Sequence, residues 1–320
     1  MKQTKIVMIK NVLKLAVAIL SINTVNTAFA ADADEGSRVG ESRRVDDPTE
    51  FKVCADQDGL PYSNDKLEGF ENKIAEVIAT DLGKKLSYQF WYDRQGFLRN
   101  TLNARKCDVV MSTTSDYDAL LTTKPYYRTG YVYAYRKDSG LNITDWDSPD
   151  LKKAYIGVVG QTPPSIPLND KGLIGNSRPY RLQRDLNFGP GYIMDDLIKG
   201  DIQVAILWGP IAGYFAKQAK LKSGVDIVIN PVPEYELTNP KGKQYWNLSI
   251  GVRKQDKARM EMIQGALDRN QDKIFKIMDD FGVPHFPVVD GDSIMKVYQK
   301  SIHKTDGVKE QRGDMVPKAE

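Results

Sequence analysis

The sequence predicts an α/β protein of two lobes joined by a two-segment hinge. Three observations carry the expectation: a βαβαβ block over Phe51–Lys137, a second block of similar plan from Tyr155 to Ile229, and two crossing segments near Asp138 and Pro231–Pro240. Repeated strand–helix–strand order marks a parallel sheet with crossover helices. Two such units with a double connection describe a clamshell that closes on a ligand.

The start of the chain reads as an export signal, Met1–Ala30. Lys2, Lys5, Lys10 and Lys14 form a basic segment, Leu15–Leu20 opens an apolar run, and Ala28-Phe29-Ala30 is a small-x-small cleavage site. Ser21, Asn23, Thr24 and Asn26 break the run, leaving it too short to span a bilayer; the alternative is an uncleaved anchor. Removing Met1–Ala30 removes four Lys and no acid, so 41 basic and 42 acidic side chains remain and the formal charge moves from +3 to −1. No basic run is dense enough for a nucleic-acid footprint.

Residues 31–48 are polar and charged and are expected to form a flexible leader. In the first block, Phe51–Ala55 is a strand, and the turn-rich loop Gly59-Leu60-Pro61-Tyr62 follows. Phe70–Leu82 places Phe70, Ile74, Val77, Ile78 and Leu82 on one helical stripe. Leu86–Tyr92 is a strand, Phe97–Ala104 a short helix and Asp108–Ser112 a third strand. In the second block, Tyr155–Val159, Gln203–Leu207 and Val225–Ile229 are strands, Gly191–Lys199 and Pro210–Ala219 helices. Leu248–Arg253 is again a strand. Met260, Ile263, Leu267, Ile274, Ile277, Met278 and Phe281 keep helical spacing over one long segment, which Gly282-Val283-Pro284 stops. Residues 49–137 with 245–290 are thus expected to form lobe 1, 138–232 lobe 2, 233–244 the second hinge crossing, and 291–320 a polar C-terminal extension.

Ligands of such sheets sit beyond the carboxyl ends of the strands. That rule singles out the loops starting at Asp56 and Thr113, with Thr114 beside the latter. Neither holds a nucleotide fingerprint. Glu71 opens a helix, where it serves the helix dipole or, alternatively, a ligand. Trp208 ends a second-lobe strand just before Gly209-Pro210 opens a helix, and is expected to face the cleft or plug it. Cys54 lies in the first strand and Cys107 enters the third. In a 2-1-3 strand order they are neighbours, so either a disulfide or two buried free thiols results.

Catalysis finds little support. Gly-x-Ser-x-Gly, His-Glu-x-x-His and phosphate-loop motifs are all missing, and His285 and His303 are too isolated to make a zinc site. No catalytic residue, metal or cofactor is expected.

Several runs resemble the type II periplasmic solute-binding proteins: LPYSNDKLEGFENKIAEVIATDLGKKLSY, CDVVMSTT and KPYYRTGYVYAYRK. KGDIQVAILWGPIAGYFAKQA and LSIGVRKQDKARMEMIQGALDRNQDKIFKIMDDFGVP are similar to the methanol-oxidation accessory branch, the proteins called MxaJ, MoxJ or XoxJ. The resemblance covers Phe51 to Pro287. It implies a periplasmic, non-catalytic protein that supports assembly or activation of a pyrroloquinoline-quinone-dependent methanol dehydrogenase, with that enzyme and its cytochrome c as partners. A transport receptor for a small polar solute is the alternative, and a dehydratase-like enzyme using Asp56, Glu71 and Asp116 a distant one.

The resemblance also implies site residues. Tyr62 stands where relatives place an aromatic wall, unless it merely packs on its loop. Amino-acid-binding relatives carry an Arg that grips the ligand carboxylate; counting back from Pro125 puts Asp116 there. Relatives also hold anions in a Gly-Thr-Thr-like cradle. Here Gly160-Gln161-Thr162-Pro163-Pro164-Ser165 follows the strand, and two prolines remove two donors, leaving Gln161 and Thr162 as candidate contacts.

Overall fold

The computed structural model describes residues 46–115, 117–181, 184–235 and 242–290. The expectations placed on Met1–Ala30, on most of the leader, on Asp116 and on 291–320 lie outside these residues.

The elements follow in chain order: β1 Glu50–Ala55, β2 Asp58–Gly59, β3 Ser63–Asn64, α1 Phe70–Asp81, β4 Lys85–Phe90, α2 Phe97–Asn100, β5 Val109–Thr114, β6 Leu121–Thr122 and β7 Tyr127–Arg136. Next come α3 Pro149–Lys153, β8 Ile156–Val159, α4 Ser165–Asp170, β9 Ser177–Tyr180, α5 Tyr192–Lys199, β10 Val204–Trp208, α6 Gly209–Ser223 and β11 Ile227–Pro231. β12 Tyr245–Val252, α7 Lys257–Arg269 and α8 Gln271–Phe281 complete the fold. Among the described residues no helix is long and apolar enough to cross a membrane.

In lobe 1, β1 lies parallel between β4 and β5, the expected 2-1-3 order. β12 runs antiparallel to β5 and then to the first part of β7. The α1 stripe explains this layer: Phe70, Ile74 and Ile78 are buried against Val53, Val109 and Met111 of the sheet and Ile263, Leu267, Ile274 and Met278 of the last helices. Each such side chain contributes about 2 kcal/mol on burial. In lobe 2, β8 is parallel to β10 and β9, and β10 is antiparallel to β7.

β7 is the element that joins the lobes. It pairs with β12 over Tyr127–Gly130 and with β10 and β11 over Tyr131–Arg136. The change of sheet therefore falls inside a strand, at Gly130–Tyr131, whereas Asp138-Ser139-Gly140 merely ends β7. A change of partner needs no break in the sequence, only room for the second crossing. A Cβ at Gly130 would lie 2.6 Å from the Gln244 carbonyl oxygen. Arg128 and the Gln244 N–H both bond the Glu234 carboxylate, and the Tyr245 hydroxyl bonds the Val232 carbonyl, so the hinge is cross-braced.

Two helical expectations need correction. The segment from Met260 to Phe281 is two helices, because Asn270 leaves helical geometry and its side chain bonds Asp81 Oδ1 and the Ala266 carbonyl at 2.9 Å each. Both helices pack on one core, so the apolar spacing hides the break. The helix expected over Phe97–Ala104 stops at Asn100, where Thr101 turns to φ −120°, ψ −84°.

Cys54 and Cys107 form a disulfide with Cα atoms 5.4 Å apart, buried with Leu102 and Leu120. Closing a loop with a sequence separation of 53 stabilises by about 4 kcal/mol in the chain-entropy model. Thiol labelling of the denatured, unreduced protein should find no free thiol. Replacing both cysteines by Ala should lower urea stability by about 2–4 kcal/mol; two labelled thiols would contradict the bridge.

Candidate functional site

The two lobes meet across the cleft through side chains of their own. Trp208, at the end of β10 in lobe 2, donates its indole N–H to the Tyr62 hydroxyl of lobe 1 at 2.5 Å. Its ring also packs on Tyr131 and Trp246, with centroids 5.2 and 5.7 Å away. Trp208 leans on the lobe 1 core although its strand belongs to lobe 2. At the rim, Arg184 bonds the Asp58 carbonyl and carboxylate at 2.7 Å, and Arg94 bonds the Arg184 carbonyl at 3.1 Å.

This aromatic bridge divides the cleft into two chambers that share Asp56 and Trp208. The lobe 1 chamber, about 320 Å³, is lined by Asp56, Glu71 and Asp93, by Ser63, Ser112 and Thr114, and by Tyr62, Phe97 and Trp208. The lobe 2 chamber, about 340 Å³, is mainly apolar, with Thr162, Arg181 and Arg184 among its polar lining.

Backbone donors are scarce. At the start of α1, the N–H groups of Phe70 and Glu71 go to the carbonyls of Pro61 and Tyr62. Helix starts hold anions only through free N–H groups, and these two are spent on the Tyr62 loop. After β8, the Ser165 and Ile166 N–H groups bond the Thr162 and Pro163 carbonyls, and the prolines contribute none.

The residues singled out from the sequence divide accordingly. Asp56, Tyr62, Glu71, Thr114 and Trp208 come together on the lobe 1 chamber. Thr162 lines the lobe 2 chamber and bonds the Val159 carbonyl at 2.6 Å. Thr113 faces an adjoining cavity. Gln161 is exposed, left-handed at φ 64°, and lies outside both chambers. Asp116 lies outside the described residues. Sequence reasoning missed Asp93, Ser112, Arg184 and Tyr131. Asp93 follows the carboxyl end of β4, so the rule that found Asp56 reaches it too. Arg184 carries no local signal, since its partner is far away in the chain.

The family model for bacterial extracellular solute-binding proteins, family 3, matches residues 51–282. The chain is 30% identical over 298 residues to protein MoxJ of Methylorubrum extorquens, covering 86% of this chain and 97% of that protein. It is similar to the crystal structure of MxaJ from Methlophaga aminisulfidivorans, with a TM-score of 0.66 and 28% identity over 74% of this chain and all of that one. It is also similar to the crystal structure of the periplasmic binding protein XoxJ from Methylobacterium extorquens, with a TM-score of 0.62 and 32% identity over 74% of this chain and all of that one.

Electrostatics single out Glu71. The residue as a whole is partly exposed, but its Oε1 is shut off from solvent and has no hydrogen-bond partner. Burial pushes its carboxyl up to about 7; a bond from Ser112 pulls it partly back and Asp93 pushes it further up. Burial first, then the charge on Asp56, also raises Asp93. The folded state thus keeps a proton on Glu71 that the unfolded chain, at 4.5, releases. A raised carboxyl stabilises fully below about pH 4.5 and loses that contribution as pH rises through 7. The difference is about 3 kcal/mol at ~1.4 kcal/mol per unit. Glu71→Gln removes this titration. Its urea stability relative to the parent should rise by up to about 3 kcal/mol from pH 5 to pH 8; an equal gap at both pH values would show that Glu71 does not titrate there.

Proposed function

Because the chain belongs to the bacterial extracellular solute-binding proteins of family 3, we propose that it acts in the periplasm as a non-catalytic accessory protein of methanol oxidation, supporting assembly or activation of the pyrroloquinoline-quinone-dependent methanol dehydrogenase. Likeness to MoxJ, MxaJ and XoxJ proteins supports the link to that system. The observation that carries the non-transport role is the Trp208–Tyr62 bridge. A transport receptor couples closure to its solute, because the solute supplies the contacts between lobes. A ligand shifts such an equilibrium only by its differential affinity for the two states. Here the protein supplies those contacts itself, through the bridge, the Arg184–Asp58 pair and the packing of α6 against the end of α8. The dehydrogenase is then met by outer surface, and the polar stretch 291–320 is the first candidate because a polar segment can order against a partner.

Affinity purification of the tagged protein from methanol-grown cells should recover dehydrogenase subunits. Deleting Asp292–Glu320 should weaken recovery several-fold with an unchanged circular dichroism spectrum, and replacing Thr113 and Thr114 by Ala should change it little. If the Thr pair abolishes recovery and the deletion does not, the cleft is the working surface and the proposed division of roles is wrong.

A further inference from the structure

We infer that β4 is a homodimer interface, at which two copies of this chain join edge to edge and antiparallel through Lys85–Phe90 and Trp91. β4 and β9 stand at the two ends of the main sheet. An open edge presents unpaired N–H and C=O groups, and proteins blunt it with short strands, Pro, bulges or charges. β9 is blunted, with four residues of which one is Pro179. β11 ends on Pro231. β4 has six residues, no Pro and an unbroken register with β1, and among the described residues it pairs with β1 alone. The direction of its free groups follows from two bonds: the Lys85 N–H goes to the Thr49 carbonyl and the Trp91 N–H to the Ala55 carbonyl. In a parallel ladder alternate residues bond the same neighbour. Lys85, Ser87, Gln89 and Trp91 therefore face β1, and Leu86, Tyr88 and Phe90 turn their backbone groups to the open edge. The Phe90 carbonyl accepts the Gln89 side-chain amide at 3.1 Å and keeps a second lone pair.

The side chains make this edge complementary to itself, which selects a second copy as the occupant. A two-fold axis at Tyr88 sets Tyr88 opposite Tyr88 and Leu86 opposite Phe90, all as hydrogen-bonded pairs. The same register uses the whole strand and sets Lys85 opposite Trp91 at both ends. Trp91 is 41% exposed, and an ammonium over an indole face is favourable. Ser87 meets Gln89, so no like charges stand directly opposed along the strand. On the other face Leu86, Tyr88 and Phe90 are half-buried against the lobe 1 core, with the Tyr88 and Phe90 rings stacked 5.2 Å apart. Pairing continues this apolar layer across the axis and takes more of it from water. A six-residue edge buries little area, so the dimer is reversible and gives monomer on dilution. It leaves the cleft and the end of the chain free, and so stands apart from the proposed function.

Sedimentation equilibrium of residues 31–320 over a range of concentrations should show monomer and dimer in exchange and nothing larger. Trp91→Lys sets like charges opposite Lys85 at both ends and should raise the dimer dissociation constant about tenfold or more. Adding Lys85→Glu to that variant sets opposite charges face to face and should return the constant to within about threefold of the parent. Circular dichroism checks that the fold survives at this exposed position. The register is read separately by crosslinking. Ser87→Cys chains mixed with Gln89→Cys chains should form a disulfide-linked dimer under mild oxidation, because directly opposed residues of this kind have Cα atoms about 4.5 Å apart. Either variant alone should crosslink far less. A chain that stays monomeric at every concentration, a dimer indifferent to Trp91→Lys, or crosslinking equally strong without mixing would each overturn the assignment.

Discussion

The distance between the lobes is set by a contact between two backbones. A Cβ on Gly213 of α6 would lie 1.9 Å from the Gly282 carbonyl oxygen at the end of α8, and one on Gly209 would lie 2.7 Å from the Gly130 carbonyl oxygen. Residues four apart share a helix face, so Gly209 and Gly213 present a bare strip along which lobe 2 rests on lobe 1. Gly282 ends α8 at φ 72°, a left-handed conformation that side chains resist. Around this strip the Lys217 ammonium bonds the Asp280 carbonyl at 2.6 Å, and Tyr214 stacks on Phe281. Trp208 immediately precedes α6, so the same contact delivers the indole to Tyr62. Chamber size, bridge geometry and the reach of Arg184 to Asp58 all follow from it.

The bridge has an electrostatic consequence. With Trp208 in the middle, Glu71 and Asp93 belong to the lobe 1 chamber, whereas Arg181 and Arg184 belong to the lobe 2 chamber, where Asp56 and Asp58 stand beside them. Amino-acid recognition needs both signs of charge in one space, one for each end of the zwitterion. The lobe 1 chamber offers carboxyl groups and no cation, and in the lobe 2 chamber Arg184 is already paired with Asp58 at 2.7 Å. Partial burial then explains why Glu71 and Asp93 hold protons more firmly than usual: no cation inside the chamber compensates them.

Much of this was legible in the sequence, and the limits have physical causes. The α1 stripe and the alternation of strands and helices report burial, which is a local pattern, so the two lobes and the neighbouring positions of Cys54 and Cys107 could be read directly. The rule of carboxyl strand ends led to Asp56 and to Thr113 with Thr114 because it concerns topology alone. It could not separate Thr113 from Thr114, whose cavities differ, since that depends on which face of β5 each side chain takes. Gln161 was read from a motif, but a left-handed backbone leaves it exposed. The glycine strip, the hinge passing through β7 and the Arg184–Asp58 pair rest on partners distant in the chain, which no periodicity records.

The central claim is that the protein holds its own lobes together. With its two native cysteines bridged, new cysteines at the exposed positions Glu76 and Lys153 can carry spin labels, one per lobe. Pulsed electron spin resonance of the ligand-free protein should show one narrow distance distribution, unchanged by added solutes and broadened by Gly213→Leu. A broad distribution in the ligand-free protein that narrows to a shorter distance only when a solute is added would contradict the account.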